Sequence, residues 1–260
     1  MKREIEFMPV KTLVFDDARE AMLSVVREMG NWIRTKRYQR GNAVLGFYSG
    51  APMDFLAKEL IRLSGIEEKG GLPVSDLKTF ELGEFVGRSP AEPGSMHQWL
   101  RQHLFDQWGA REENIHFLDG SVGEADLAAH MQAFEAALAA CDPIDILPVP
   151  MGSSGRLGFH KPGSDPAART SIVELDEVTR RELATDHPGL GEIPARAMGL
   201  GLGTIRSAKR IRVLAFGADR AAAVHRALTS SQDKDAPLSC LFGHKDCQLL
   251  LDSAAAAELG

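Results

Sequence analysis

Short runs of apolar residues rich in β-branched types alternate along the chain with longer stretches in which apolar residues recur every three or four positions. The first pattern is that of buried strands and the second that of amphipathic helices. Their alternation predicts a mostly parallel sheet covered by helices. The runs that read as strands are Thr12–Phe15, Ala43–Phe47, Thr79–Leu82, Ile115–Leu118, Ile144–Val149 and Ile211–Phe216. Asp16 or Asp17 can cap a helix running to about Thr35, with Ala21, Met22, Val25, Val26, Met29 and Ile33 along one face. Further helices are predicted over Met53–Ser64, Ser95–Trp108, Glu124–Ala140 and Ala218–Leu228. No internal repeat, low-complexity tract or linker divides the chain, so residues 1–260 are expected to form a single domain. The Gly- and Pro-rich segment from Pro148 to Pro166 is too long for a simple connection, and loops of that size inside compact domains tend to carry function.

Composition narrows the function classes. With 260 residues, 44% hydrophobic and 25% charged, the chain can bury a large core and is neither disordered nor fibrous. Its net charge of −6 arises from 36 acidic and 30 basic residues mixed along the whole length, with no basic stripe to neutralise a phosphate backbone. Nucleic acid is therefore not an expected partner. A small anion is not excluded, because a few local N–H groups and one or two cations suffice to hold it. Cys141, Cys240 and Cys247 are odd in number and include no close pair, which argues against a disulfide framework or a structural zinc site and fits a reducing compartment. Charges at Lys2, Arg3, Glu4 and Glu6, with no apolar run of signal-peptide or membrane-span length anywhere, predict a cytoplasmic protein without a membrane partner. His97, His103, His116 and His130 have no second ligand at metal spacing, so neither metal nor cofactor is expected.

Four segments carry recognisable motifs. The first, Leu45-Gly46-Phe47-Tyr48-Ser49-Gly50-Ala51-Pro52, runs from a strand through a Gly turn into a helix, where backbone N–H groups can receive an anion; a tight turn needing Gly for its backbone angles is the equal alternative on local grounds. The second is Phe80-Glu81-Leu82-Gly83-Glu84-Phe85-Val86-Gly87, followed by Pro93, Ser95 and His97. The third, Ile144 to Ser164, contains Pro150-Met151-Gly152-Ser153-Ser154-Gly155-Arg156-Leu157-Gly158-Phe159-His160-Lys161-Pro162-Gly163, and ends in Arg169-Thr170. The fourth, Leu200-Gly201-Leu202-Gly203-Thr204-Ile205, leads through a strand to Gly217-Ala218-Asp219-Arg220. Its glycines do not have the dinucleotide spacing and they precede a strand rather than follow one, which argues against a nucleotide loop.

In order and over nearly the whole chain, these segments resemble the glucosamine-6-phosphate deaminase family, a sugar-phosphate isomerase group of carbohydrate metabolism. The resemblance implies an open, doubly wound α/β fold of Rossmann-like type, with the ligand at the carboxyl ends of the strands. It implies a phosphate turn at Ser49 and Gly50, and a phosphate-contacting cation at Arg220 where the family has Lys. The first segment is one residue short of the family's turn and lacks its Thr. The chemistry departs from the family elsewhere too. Gly83 stands at the family's proton-transferring Asp, Ser154 at a second Asp, Arg156 at the ring-opening His, and Lys161 at the Glu that orients it. A guanidinium stays charged and cannot shuttle protons as an imidazole does. Glu84 and His160 are the candidate substitute acid–base groups, and Lys161 could also form an imine with a carbonyl. Arg156 and Lys161 are expected to make the pocket more cationic, favouring a phosphorylated or acidic sugar over an amino sugar. The first functional expectation is an isomerase or deaminase with altered machinery. The alternatives are a catalytically silent binder or regulator, and a hydrolase of 6-phosphogluconolactonase type. Sugar-sensing repressors share the scaffold, but no DNA-binding segment is expected ahead of this domain. A homo-oligomer is compatible with every one of these readings.

Overall fold

The computed structural model describes residues 3–5, 8–40, 42–65, 72–187, 191–229 and 236–259; Lys2 and Glu6 lie outside them. The chain opens with β1 (Arg3–Ile5), β2 (Lys11–Phe15), α1 (Ala18–Arg40), β3 (Val44–Phe47), α2 (Ala51–Ser64), β4 (Lys78–Glu81) and β5 (Gly83–Phe85). It continues through α3 (Met96–Leu100), a π-helical turn at Arg101–Phe105, α4 (Asp106–Trp108), β6 (Ile115–His116), α5 (Leu127–Ala140), β7 (Leu147–Pro150), β8 (Ser171–Glu174) and α6 (Glu177–Asp186). The last elements are β9 (Arg196–Gly199), α7 (Leu202–Arg206), β10 (Ile211–Ala215), a 3-10 turn at Ala218–Arg220, α8 (Ala221–Thr229), a 3-10 turn at Pro237–Leu241 and β11 (Cys247–Asp252).

Helix α1 shows how local pattern becomes structure. Asp17 Oδ1 accepts the Glu20 N–H at 2.7 Å to close the first turn. The predicted face of Ala21, Met22, Val25, Val26, Met29 and Ile33 is buried throughout. The helix runs to Arg40 rather than Thr35, and Lys36 near its end is buried.

Two hydrogen-bonded ladders, β1-β2-β11-β10-β7 and β3-β4-β6, are parallel except for β1 against β2. Among the described residues, a single parallel bridge, Leu45 to Ile146, joins them. Proline explains why the seam is so thin. Leu147 and Met151 donate their N–H groups to Arg210 O and Leu214 O on the β10 side. The alternate positions, Pro148 and Pro150, turn towards β3 and have no N–H to give. The result is one mixed, mostly parallel sheet, as expected from the alternation of elements. A small antiparallel sheet, β5-β9-β8, stands beside its carboxyl edge, with Gly83 opposite Gly199.

The main core joins the sheet to α1, α2, α5 and α8. A second apolar cluster of Phe85, Met96, Phe159, Val173, Leu175, Leu183, Ile193 and Ala197 lies under the small sheet. Among the described residues, no helix is long and apolar enough to cross a membrane.

Candidate functional site

The carboxyl ends of β7 and β10 open onto a cavity of about 430 Å³, closed by the first turns of α1 and α2 and the last turn of α6. Its polar groups are Arg19, Arg156, Asp186 and Arg220, set among Met22, Met53, Phe55, Met151, Leu214 and Phe216. A concave, largely apolar site with few convergent charges, at the carboxyl ends of parallel strands, is where such a sheet binds ligands.

The β3–α2 turn is built as its sequence suggests. Gly50 has φ 97°, a conformation glycine adopts readily, and a Cβ there would lie 3.0 Å from His187 Nε2. The opening of α2 offers few free donors, because Met53 N–H is bonded to Gly50 O and Pro52 has none. Ser49 Oγ and Ser154 Oγ are buried and have no hydrogen-bond partner among the described residues.

Arg156 is held rigidly. Its Nε donates to Glu182 Oε2 at 2.8 Å and its Nη1 to Gly158 O at 2.6 Å, while Glu182 Oε1 accepts the Ser153 N–H. Gly152 makes this pairing possible, since a Cβ there would stand 2.6 Å from both Arg156 Nε and Glu182 Oε2. Burial raises the Glu182 pKa, but Arg156 and Ser153 outweigh it and hold the carboxyl below its usual range. Arg220 donates from Nε to Met151 O at 3.0 Å and from Nη1 to both oxygens of Asp219. At Asp186, burial raises the pKa against the pull of Arg156 and Arg220. Burial also drives His187 down to about 4, so that ring is neutral over the physiological range.

The remaining candidates from the sequence lie elsewhere. Lys161 is exposed and does not line the cavity, so the added positive charge comes from Arg19, Arg156 and Arg220 instead. Glu84 is fully buried and occupied: its carboxylate accepts N–H bonds from Phe85, Met96 and His97 and the Ser95 hydroxyl at 2.6 Å. Burial lifts its pKa to about 7 against these four donors. It anchors the start of α3 and does not border the cavity. His160 is buried and its Nε2 donates to Leu200 O at 2.9 Å, which places the proton on that nitrogen; burial lowers its pKa. Both candidate acid–base groups are therefore tied into the framework.

At Gly83, where the family resemblance implies an acid, a side chain would meet Phe159 as it is placed here. A Cβ at this position would stand 2.4 Å from Cε2 of Phe159, and one at Gly199, its cross-strand partner, 2.9 Å from Cδ2. The Phe159 ring lies in the notch formed by these two glycines and fills the space a side chain on Gly83 would need. Gly201 and Gly203 have a structural use as well: Cβ atoms there would meet the backbone of residues 167–169 at 2.1 and 2.9 Å.

Residues 16–250 match the model of the family described as glucosamine-6-phosphate isomerases/6-phosphogluconolactonase. The chain belongs to this family. Over 218 residues it is 34% identical to a glucosamine-6-phosphate deaminase of Bacillus velezensis, covering 84% of this chain and 88% of that one. It is 30% identical over 246 residues to glucosamine-6-phosphate deaminase 2 of Giardia intestinalis, covering 93% and 89%. Among solved family structures, a monomeric glucosamine-6-phosphate deaminase superposes with a TM-score of 0.85 at 28% identity, over 95% of this chain and 98% of that chain. A 6-phosphogluconolactonase from Trypanosoma brucei shares the fold with a TM-score of 0.74 at 18% identity, over 96% and 98%. The superposition on the deaminase supports the mixed, mostly parallel sheet with helices described above.

Sequence reasoning missed Arg19, Asp186, His187 and Glu182 as members of the site. The last three belong to α6 and the residue after it. That helix has a readable start, since Asp176 Oδ1 accepts the Thr179 N–H, but only Thr179 and Leu183 of it are buried. With so weak an apolar face, periodicity alone does not reveal it.

Proposed function

We propose that this family member binds a phosphorylated or acidic sugar in the cavity and does not perform the deamination of glucosamine 6-phosphate. The observation that carries the reading is the polar make-up of the site: three arginines around the β3–α2 turn, and no free acid–base group where the family pattern calls for one. Arg220 and Arg19 offer charge to a phosphate or carboxylate, and a guanidinium binds either well. Arg156, fixed by Glu182, orients the inner wall but stays protonated and cannot exchange a proton with a sugar ring. Phe159 covers Gly83 and leaves no room for a side chain at that position, and Glu84 beside it is held by four donors. An ammonium on the ligand would face the cavity's arginines, whereas a second anionic group would find a partner.

The test is calorimetric titration with 6-phosphogluconate and glucosamine 6-phosphate, on the natural protein and on Arg220→Ala. The acidic sugar should bind more tightly, and Arg220→Ala should weaken it by about 1.5–3 kcal/mol, the range for hydrogen bonds to charged groups. Tighter binding of the amino sugar, or unchanged affinity in the variant, would refute the reading.

A further inference from the structure

Asp186 is the last residue of α6, and its side chain lines the cavity beside Arg156, Arg220, Ala51 and Pro52. It sits hard against the β3–α2 turn: a Cβ on Gly50 would lie 3.3 Å from both the Asp186 Cβ and its carbonyl oxygen. Other carboxylates around the site have partners. Glu182 holds Arg156 and Ser153, Asp219 holds Arg220, Asp252 accepts from Gly217 and Ala255, and Asp176 caps α6. No described residue hydrogen-bonds to or forms an ion pair with the Asp186 carboxylate. The groups facing it are Arg156 from the loop after β7, Arg220 and Asp219 from the turn after β10, Glu182 and His187 from its own helix and the residue following it, and Arg19 from α1.

We propose that Asp186 is a built-in competitor for the anion site: its carboxylate occupies the arginine-lined end of the cavity, so a ligand's negative charge is bound fully only when Asp186 is neutralised or displaced. This rests on the reading that the cavity receives an anion. Two opposing effects fix the carboxylate's behaviour. It lies at the C-terminal end of its own helix, where negative charge is disfavoured, yet it faces the N-terminus of α2, where negative charge is favoured. Burial makes it easier to protonate than a surface aspartate, and neighbouring His187 stays neutral, leaving the arginines to offset the charge. A carboxylate with free lone pairs beside bound sulfate or phosphate adds like-charge repulsion in a poorly solvated site. Anion affinity should consequently rise as Asp186 takes up its proton.

The test uses inorganic sulfate, which keeps both charges through the carboxylate range, titrated calorimetrically into the natural protein and into Asp186→Asn. The substitution keeps the shape and removes a charge that supports no protein contact. At neutral pH the variant should bind sulfate about tenfold more tightly, equivalent to about 1.4 kcal/mol. On acidification the natural protein should approach the variant, and the ratio of their affinities should fall as Asp186 takes up its proton. Equal or weaker binding by the variant would overturn the role of Asp186 while leaving the anion site standing. Absence of sulfate binding by both proteins at every pH would refute the anion site itself, and this inference with it.

Discussion

At the amino ends of β7, β10 and β11, Asp145 receives Lys36 and Lys209 on one oxygen and the Val44 N–H on the other. Nearby, Arg212 is bonded to both Glu28 oxygens and to Asp246, and Arg210 stacks 3.8 Å from the Trp32 ring centroid. At the carboxyl end of the sheet, Asp186 lines the cavity with no partner among the described residues; single buried polar atoms without partners occur at both ends, Ser49 Oγ and Ser154 Oγ above and Trp32 Nε1 below. Buried polar groups are normally satisfied within the protein, and those that are not need a separate explanation. The contrast separates charges that the fold pairs from one that it leaves unpaired. The lower network ties α1 to three strands, whereas the cavity at the carboxyl end, where such sheets bind ligands, is lined by a carboxylate that the described residues do not pair.

The largest effect should come from breaking the lower network. Asp145→Ala removes the carboxylate facing Lys36, whose side chain is 3% exposed, and should cost about 3–5 kcal/mol, the range for orphaning one partner of a buried pair. Urea unfolding measures this, and a loss below about 1 kcal/mol would show that the network is not structural. The same group sets a pH signature. Burial raises the Asp145 pKa, but Val44, Lys209 and Lys36 more than offset it and hold the carboxyl below 3.8. Its stabilisation is thus complete above the unfolded value and is lost as pH falls through the folded one. The acid limb of the stability profile should flatten in Asp145→Ala.

A smaller cost tests the upper end. Gly83→Asp, which restores the acid of the family pattern, should destabilise by about 1–3 kcal/mol because its Cβ meets the Phe159 ring at 2.4 Å. Combining it with Phe159→Ala should cost less than the two single changes summed, with a coupling of about 0.5–3 kcal/mol in a double-mutant cycle. Strict additivity would show that Phe159 is not what excludes a side chain there.

Much of the framework was legible in the sequence because it depends on local pattern. All six predicted strands are present within a few residues of their predicted limits, since each is an apolar run buried in a parallel sheet. The run Leu249–Leu251 gives β11 an equally clear strand signal that the six-strand reading leaves out. Strands β5, β8 and β9 were harder to see, being short antiparallel pieces that each contain a charged residue, Glu84, Glu174 and Arg196. The helix predicted over Ser95–Trp108 is real but is interrupted by the π-helical turn at Arg101–Phe105. At the site, motif positions located Ser49, Gly50, Arg156 and Arg220 at or beside the cavity. They did not give the direction of Lys161, Glu84 or His160. Side-chain direction within an irregular loop follows from what packs against it, as Leu200 O does on His160, and spacing carries no record of that. Asp186 and Arg19 reach the cavity from elements whose own motifs are unremarkable.

The smallest effect is expected at Lys161. Because it is exposed and outside the cavity, Lys161→Glu should change stability by less than about 0.5 kcal/mol and leave sugar-acid affinity almost untouched. A loss of affinity like that expected for Arg220→Ala would bring Lys161 into the site and blur the division between upper and lower charges.

The central claim is that an anion-binding cavity persists where the family's proton-transfer groups do not. Ammonia release from glucosamine 6-phosphate, followed with the natural protein at saturating substrate, tests it most directly. General acid–base groups each contribute about 10²–10⁴-fold, so replacing both the base at Gly83 and the shuttle at Arg156 should leave release indistinguishable from a no-enzyme control. Turnover comparable with that of an ordinary deaminase of this family would contradict the account.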